Sequence, residues 1–237
     1  MIVKLSLDRY SITTSEVCQV GIEISSEFSQ KKLKDKRMER AVSVCAELFL
    51  ERGIESVKMT DIADYSGVGV ATLYRYFGTK TAIAAEAMTF LWNDLRKLFG
   101  GVFDSETFTS QSGIKQLGDL LKMFVVLFTA HKDFMRLVGE FDRFVLHENV
   151  PREELREYEH SIIDFYPVVE RAYKQGLADG TMHEVSDFRL FYMTYAHALT
   201  EMCKKFIEGE ILPSDDFSDA ERELDMLIDC AVNYLKA

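Results

Sequence analysis

Between Met59 and Phe77 the chain has room for two short helices and nothing longer, because Gly67-Val68-Gly69 divides the segment. Glycine tolerates the positive φ that a tight turn needs, so the chain is expected to reverse there. On either side apolar residues recur at the 3.6-residue helical period, which places Ile62, Ala63, Val68, Leu73 and Phe77 on inward faces. Val70, Ala71, Thr72, Tyr74, Arg75 and Tyr76 are left facing outward. A helix of two turns has no stability of its own in water. One that displays two tyrosines, an arginine and a threonine calls for a partner surface that accepts them.

The flanking sequence supplies the rest of a small helical unit. Lys31, Lys32, Lys34, Lys36, Arg37 and Arg40 lead into Ala41, Val42, Cys45, Ala46, Leu48 and Phe49, a helix with a basic start and one apolar stripe, closed by Gly53. Gly78-Thr79-Lys80 ends the second short helix, and Thr79 is placed to cap a longer one over residues 80–98. The chain as a whole carries a net charge of −11, yet residues 31–80 hold ten Lys/Arg against seven Asp/Glu. The basic excess is thus confined to one short segment, where a phosphate-binding footprint belongs. Its first stretch, residues 31–40, also suits a basic arm lying along a nucleic-acid backbone.

Two short helices joined by a glycine turn have the geometry of a helix-turn-helix, whose second helix fits the major groove and reads base edges there. Thr60-Asp61-Ile62-Ala63, followed by Ser66-Gly67-Val68-Gly69-Val70-Ala71-Thr72-Leu73-Tyr74-Arg75-Tyr76-Phe77-Gly78-Thr79-Lys80, resembles the DNA-binding domain of the tetracycline-repressor (TetR) family. Ala46-Glu47-Leu48-Phe49-Leu50-Glu51-Arg52-Gly53 resembles the first helix of that domain. The likeness covers roughly residues 34–90. Lys58, Gly69 and Thr81 depart from it, standing where many members carry threonine, serine and glutamate. The resemblance implies DNA-contacting roles for Thr60, Gly69, Val70, Ala71, Thr72, Tyr74, Tyr76 and Lys80. Gly69 to Thr72 would lie nearest the bases, with Thr72 bonding a base edge or a phosphate and Val70 touching a thymine methyl. Tyr74, Tyr76, Lys80 and the start of the helix holding Thr60 would meet phosphates.

Further helices are expected over 113–130, 133–147, 151–177, 187–208 and 219–236, with Ser218-Asp219-Ala220-Glu221 as a capping box for the last. Pro167 falls inside the 151–177 helix and predicts a kink there. The expected fold is therefore all-α: an extension over 1–30, poorly ordered; a three-helix helix-turn-helix domain over 31–80; and a helical effector-binding and dimerisation domain over 81–237. Small-molecule pockets are mainly apolar, and Phe124, Phe128, Phe141, Phe144, Phe165 and Tyr166 are the candidates to line one. The stripe Leu224, Leu227, Ile228 and Ala231, with Tyr195 and Leu199 on the preceding helix, is the candidate interface of a homodimer.

The 237 residues are 47% apolar, enough for a full core. No continuous apolar stretch approaches the ~20 residues of a membrane span, and no secretory core is visible near the start. Cys18, Cys45, Cys203 and Cys230 are far apart, which fits reduced thiols in a cytoplasmic protein. The histidines (His131, His147, His160, His183 and His197) are scattered without paired metal-ligand spacing, and no nucleophile–base set or phosphate-cradling glycine loop is present. An enzyme is not expected, and neither a metal nor a cofactor is implied. The expectation is a transcriptional regulator that binds double-stranded operator DNA as a homodimer. It acts as a repressor, released from a near-palindromic site by an unidentified small apolar or amphipathic ligand. The rival reading is a helical interaction module that keeps the helix-turn-helix only as structure.

Overall fold

A computed structural model describes residues 35–163 and 166–237. The extension expected over 1–30 and the lysines at 31–34 lie outside them. Helix α1 spans 35–52 and buries Ala41, Cys45, Ala46, Leu48 and Phe49 of the predicted stripe, with Val42 half-buried and Met38 buried as well. It is followed by α2 (Met59–Ser66), α3 (Val70–Phe77) and the long α4 (Lys80–Phe103). Thr79 caps α4 as expected, its Oγ1 accepting the Ala82 N–H at 3.1 Å. The helix continues past the expected end near residue 98 because Gly100-Gly101 is accommodated within it.

The remaining described residues form α5 (Glu106–Thr109), α6 (Gly113–Leu121), α7 (Met123–Ala130), α8 (Lys132–His147), a 3-10 turn over Arg152–Leu155, α9 (Arg156–Ile163), α10 (Tyr166–Ala178), α11 (Phe188–Glu208) and α12 (Ala220–Leu235). The single helix expected over 113–130 is two, meeting at Lys122. The bend is slight, since Lys122 N–H still reaches Gly118 O at 3.0 Å and Lys122 O accepts from Val126 at 3.1 Å. Likewise the helix expected over 151–177 is described as α9 and α10, with Pro167 in the first turn of α10. Residues 164 and 165, between the two, lie outside the described residues. The predicted capping box at Ser218–Glu221 does not form: Asp219 stands at the N-cap, but its carboxylate accepts from Arg222 at 2.8 Å instead.

Helix α10 lies across α6, and both α6 and α7 pack on α12. Helix α11 covers α7, α8 and α12, while α4 runs along α8 and α9 and so joins the N-terminal unit to this body. The α6–α10 crossing is close because glycines meet there: a Cβ on Gly113 would sit 2.0 Å from the Gly176 nitrogen. Asp179 secures the same corner by accepting from the Gly113 N–H at 2.8 Å and from the Thr181 hydroxyl at 2.6 Å. Leu117, Leu121, Leu127, Met135, Leu137 and Phe141 are fully buried at the body's centre. Each contributes on the order of 1.5–3 kcal/mol by leaving water.

Candidate nucleic-acid interface

Helix α2 begins without a conventional cap. Lys58 holds extended backbone at the N-cap, and Asp61 reaches back so that its carboxylate accepts the Lys58 N–H at 2.7 Å. Half of a capping box thereby serves where the family's threonine is replaced. Ile62, Ala63 and Ser66 are buried, and Ser66 Oγ accepts the Val68 N–H at 3.3 Å. Gly67 then closes the helix in the left-handed region at φ 71°, its N–H on Ala63 O at 2.9 Å. The turn is the one expected from Gly67-Val68-Gly69.

Helix α3 hangs on Leu73, which is wholly buried, with Val70 and Phe77 half-buried beside it. Gly69 at its N-cap offers no side chain to the helix's first N–H groups; its carbonyl accepts from Thr72 and Leu73 at 2.8 and 3.1 Å. Ala71, Tyr74, Arg75 and Tyr76 are exposed and Thr72 is half-exposed. Tyr74 and Tyr76 keep 49% and 48% of their surface open, although Tyr76 also meets the Phe77 ring edge-on at 4.9 Å. Thr60 is exposed at the start of α2. Seven of the eight predicted contact residues thus lie on or beside one outward surface, with Val70 turned partly inward as well.

Lys80 departs from that set. It is half-buried at the first position of α4, its Nζ donating to Glu55 O at 3.4 Å and standing 5.6 Å over the Phe144 ring of α8. Burial pushes its ammonium pKa down, against the raising effect of Glu55 and Glu148 among others. The side chain therefore belongs to the joint between the N-terminal unit and the body, because α4 starts where α8 arrives. A second part of that joint is polar. Arg136 Nη2 donates to Leu50 O at 2.6 Å and Arg136 pairs with Glu140, whose Oε2 accepts the Ile54 N–H at 3.0 Å. One helix of the body thus caps the end of α1.

A residue missed from the sequence is Tyr65, exposed on α2. Arg52 Nη2 donates to its hydroxyl at 3.0 Å and lies 5.1 Å over its ring. Its outward position was legible from the same period that buries Ile62, but its partner was not. The exposed cations Lys36, Arg37, Arg40, Arg52, Lys58 and Arg75 ring this N-terminal unit.

The candidates for an effector pocket do not surround one space. Phe124, Phe141 and Phe144 are buried core residues, Phe128 packs on Phe206 at 5.9 Å, and Tyr166 meets Tyr192 at 5.7 Å. Phe165 lies outside the described residues. Apolar periodicity identified them as inward-facing, and of the six only Phe144 borders one of the larger open volumes among the described residues. The larger open volumes border α4 instead: about 670 Å³ between its first half and the segment from Val150 to Tyr158, and about 650 Å³ beside Lys80 and Phe144.

Four of the six dimer candidates are corrected in the same way. Leu199, Leu224, Ile228 and Ala231 are buried within this chain, against α6, α7 and each other's helices, and keep no surface for a second copy. Tyr195 and Leu227 remain partly open. Beside them on α11 and α12, Phe191, Met202 and Tyr234 present an apolar face, with Tyr234 59% exposed and stacked on Phe191 at 5.6 Å.

The family model for bacterial regulatory proteins of the tetR family matches residues 42–87, the segment from α1 into α4. No curated protein sequence matches the chain. Among solved structures, a TetR transcription regulator from Haloarcula marismortui superposes with a TM-score of 0.65 at 13% identity, covering 86% of this chain and all of that one (100%). FadR from Bacillus subtilis, in complex with stearoyl-CoA, gives 0.61 at 15% identity over 82% of this chain and 97% of its own. A Saccharomonospora viridis protein in complex with choline gives 0.60 at 17% identity over 82% and 96%. At these identities the superpositions establish the fold, which extends the likeness from the helix-turn-helix across the body. Residues 42–87 thus match the model of the tetR family of bacterial regulatory proteins, and the described chain has the fold of a solved TetR regulator.

Proposed function

We propose that this regulator binds a near-palindromic operator as a homodimer and is released from it by a small molecule held in the helical body. The observation that carries the reading is the build of α3: anchored by Leu73 with Val70 and Phe77 half-buried, it offers Ala71, Thr72, Tyr74, Arg75 and Tyr76 outward and leaves its N-terminal N–H groups uncapped by any side chain. A helix held in this way enters the major groove end first, with Ala71 and Thr72 at base edges and the tyrosine hydroxyls on phosphates. The bare N-terminus adds a favourable site for a phosphate oxygen. Lys80 takes a positioning role at the joint in place of a phosphate contact.

Dimerisation through Phe191, Tyr195, Met202, Leu227 and Tyr234 supplies the cover that this open face lacks. A two-fold axis there sets the two α3 helices about one DNA turn, ~34–36 Å, or a multiple of it apart. Ligand binding acts by favouring one spacing or tilt of the two N-terminal units over another, which requires different affinities for the two arrangements. Repression is the default sign. Support for a small-molecule effector comes from the fold shared with proteins solved with stearoyl-CoA and with choline. A cytoplasmic location and a non-catalytic role accord with this reading.

Fluorescence anisotropy with the DNA upstream of the protein's own coding region tests it. Saturable binding that beats scrambled DNA and weakens steeply with salt is expected. Equal binding to both DNAs, followed by failure of a genome-wide selection to yield any site, would remove DNA recognition from the account.

A further inference from the structure

The cavity of about 670 Å³ beside α4 lies within the range of ligand-binding clefts, and its position is unusual for a packing defect. One wall is the end of the DNA-reading unit: Phe77, the last residue of α3, with Thr79, the N-cap of α4. The opposite wall is the segment from Val150 to Tyr158, which belongs to the body. Aromatic and small apolar groups (Phe77, Ala82, Ala85, Tyr158) give it an apolar interior. The charge on its walls is one-sided. Glu86 of α4 faces Glu153, Glu154 and Glu157, and Arg156 is the one cation among the residues that line it.

From the volume, the apolar interior and this charge we infer that the trough is the effector site and that it takes a small organic cation carrying an apolar or aromatic group. The inference rests on the effector reading above and gives it a place and a ligand class. Among the described residues no ion pair neutralises any of the four glutamates, so a bound cation meets charge complementarity that the chain does not supply. The carboxyl of Glu86 is already held above the ordinary carboxylate range, by burial first and by the charge of Glu157 second. A cation at this place offsets the repulsion between the Glu86 and Glu157 carboxylates. Because Phe77 and Thr79 form one wall, a guest also fixes where α3 ends relative to the body.

Trp92, the chain's one tryptophan, lies on α4, whose first half walls the trough, so its emission reports occupancy. The full-length protein is titrated with benzyltrimethylammonium, with tetraphenylphosphonium and with neopentylbenzene, the uncharged isostere of the first. Both cations are expected to bind saturably, at least about tenfold tighter than the isostere, and to weaken operator binding. Glu86→Gln/Glu157→Gln should cost the cations about tenfold and leave the isostere unchanged, while circular dichroism and the melting temperature show an intact fold. Cations that bind no better than the isostere, or a double variant that binds them as the parent does, overturn the inference. If that happens while operator binding persists, the regulator reading stands and only the trough assignment falls. If operator binding itself is absent, the regulator reading falls instead, and the titration still decides the chemistry of the trough.

Discussion

Aromatic side chains meet opposite fates in the two parts of this molecule. In the body, Phe141 is 1% exposed and stands edge-on to Tyr158 at 4.8 Å, while Tyr173 stacks flat on Phe188 at 3.8 Å. In the N-terminal unit Tyr65, Tyr74 and Tyr76 keep about half their surface in water, at 57%, 49% and 48%. The difference is not one of available core, since the N-terminal unit has its own, with Phe49, Ile54, Ile62 and Leu73 wholly buried. Rings that packing does not need, grouped on two short helices and surrounded by exposed cations, are there for something outside the chain. The body uses its aromatics for stability; the N-terminal unit spends stability to display them.

That contrast can be broken by substitution. The largest effect is expected in the body, where Phe141→Ala should cost about 3–5 kcal/mol of stability in denaturant unfolding, from lost burial plus the cavity left behind. A cost under about 1 kcal/mol would show that the body is not packed as described. At the joint, Arg136→Ala removes the donor on Leu50 O and leaves Glu140 without its guanidinium, so about 1–3 kcal/mol is expected. In the N-terminal unit Tyr74→Ala should change stability by no more than about 0.5 kcal/mol, measured by the same unfolding. Its operator affinity should nevertheless fall, by about threefold to tenfold in anisotropy titrations.

The smallest effect concerns acid. The Thr181 hydroxyl, the Gly113 N–H and other neighbours hold the Asp179 carboxyl below its ordinary value. A carboxylate depressed in the folded state contributes stability that is present above its unfolded pKa and lost as pH falls through the folded one. Asp179→Asn should therefore flatten the acid limb of a stability–pH profile below about pH 4 and leave the neutral region little changed apart from the lost hydrogen bonds. An acid limb identical in the two proteins would contradict the α6–α10 corner.

How much of this was legible in the sequence follows from the range of the interactions. The turn at Gly67, the burial of Leu73 and the outward set on α3 depend on neighbours within a few residues, and periodicity with glycine reports those directly. Leu224, Ile228 and Ala231 show the limit. Their spacing says that one face of α12 is apolar, but not whether its cover comes from α6, α7 and α11 or from a second chain. Lys80 shows the same limit for a polar group, because the ring it meets, Phe144, comes from a distant helix. The trough beside α4 has no local signature at all; it exists only where α4 and the segment from Val150 to Tyr158 fail to close on each other.

The most direct test of the central claim pairs two readings on one protein. Tyr74→Ala/Arg75→Ala is made in the full chain, and its melting temperature and its operator affinity are measured beside the parent's. The account predicts a melting curve that overlays the parent's and an affinity at least about tenfold lower, because neither side chain holds the fold and both face the DNA. A double variant that melts with the parent and binds the operator equally well would mean that the exposed face of α3 is not where DNA is read.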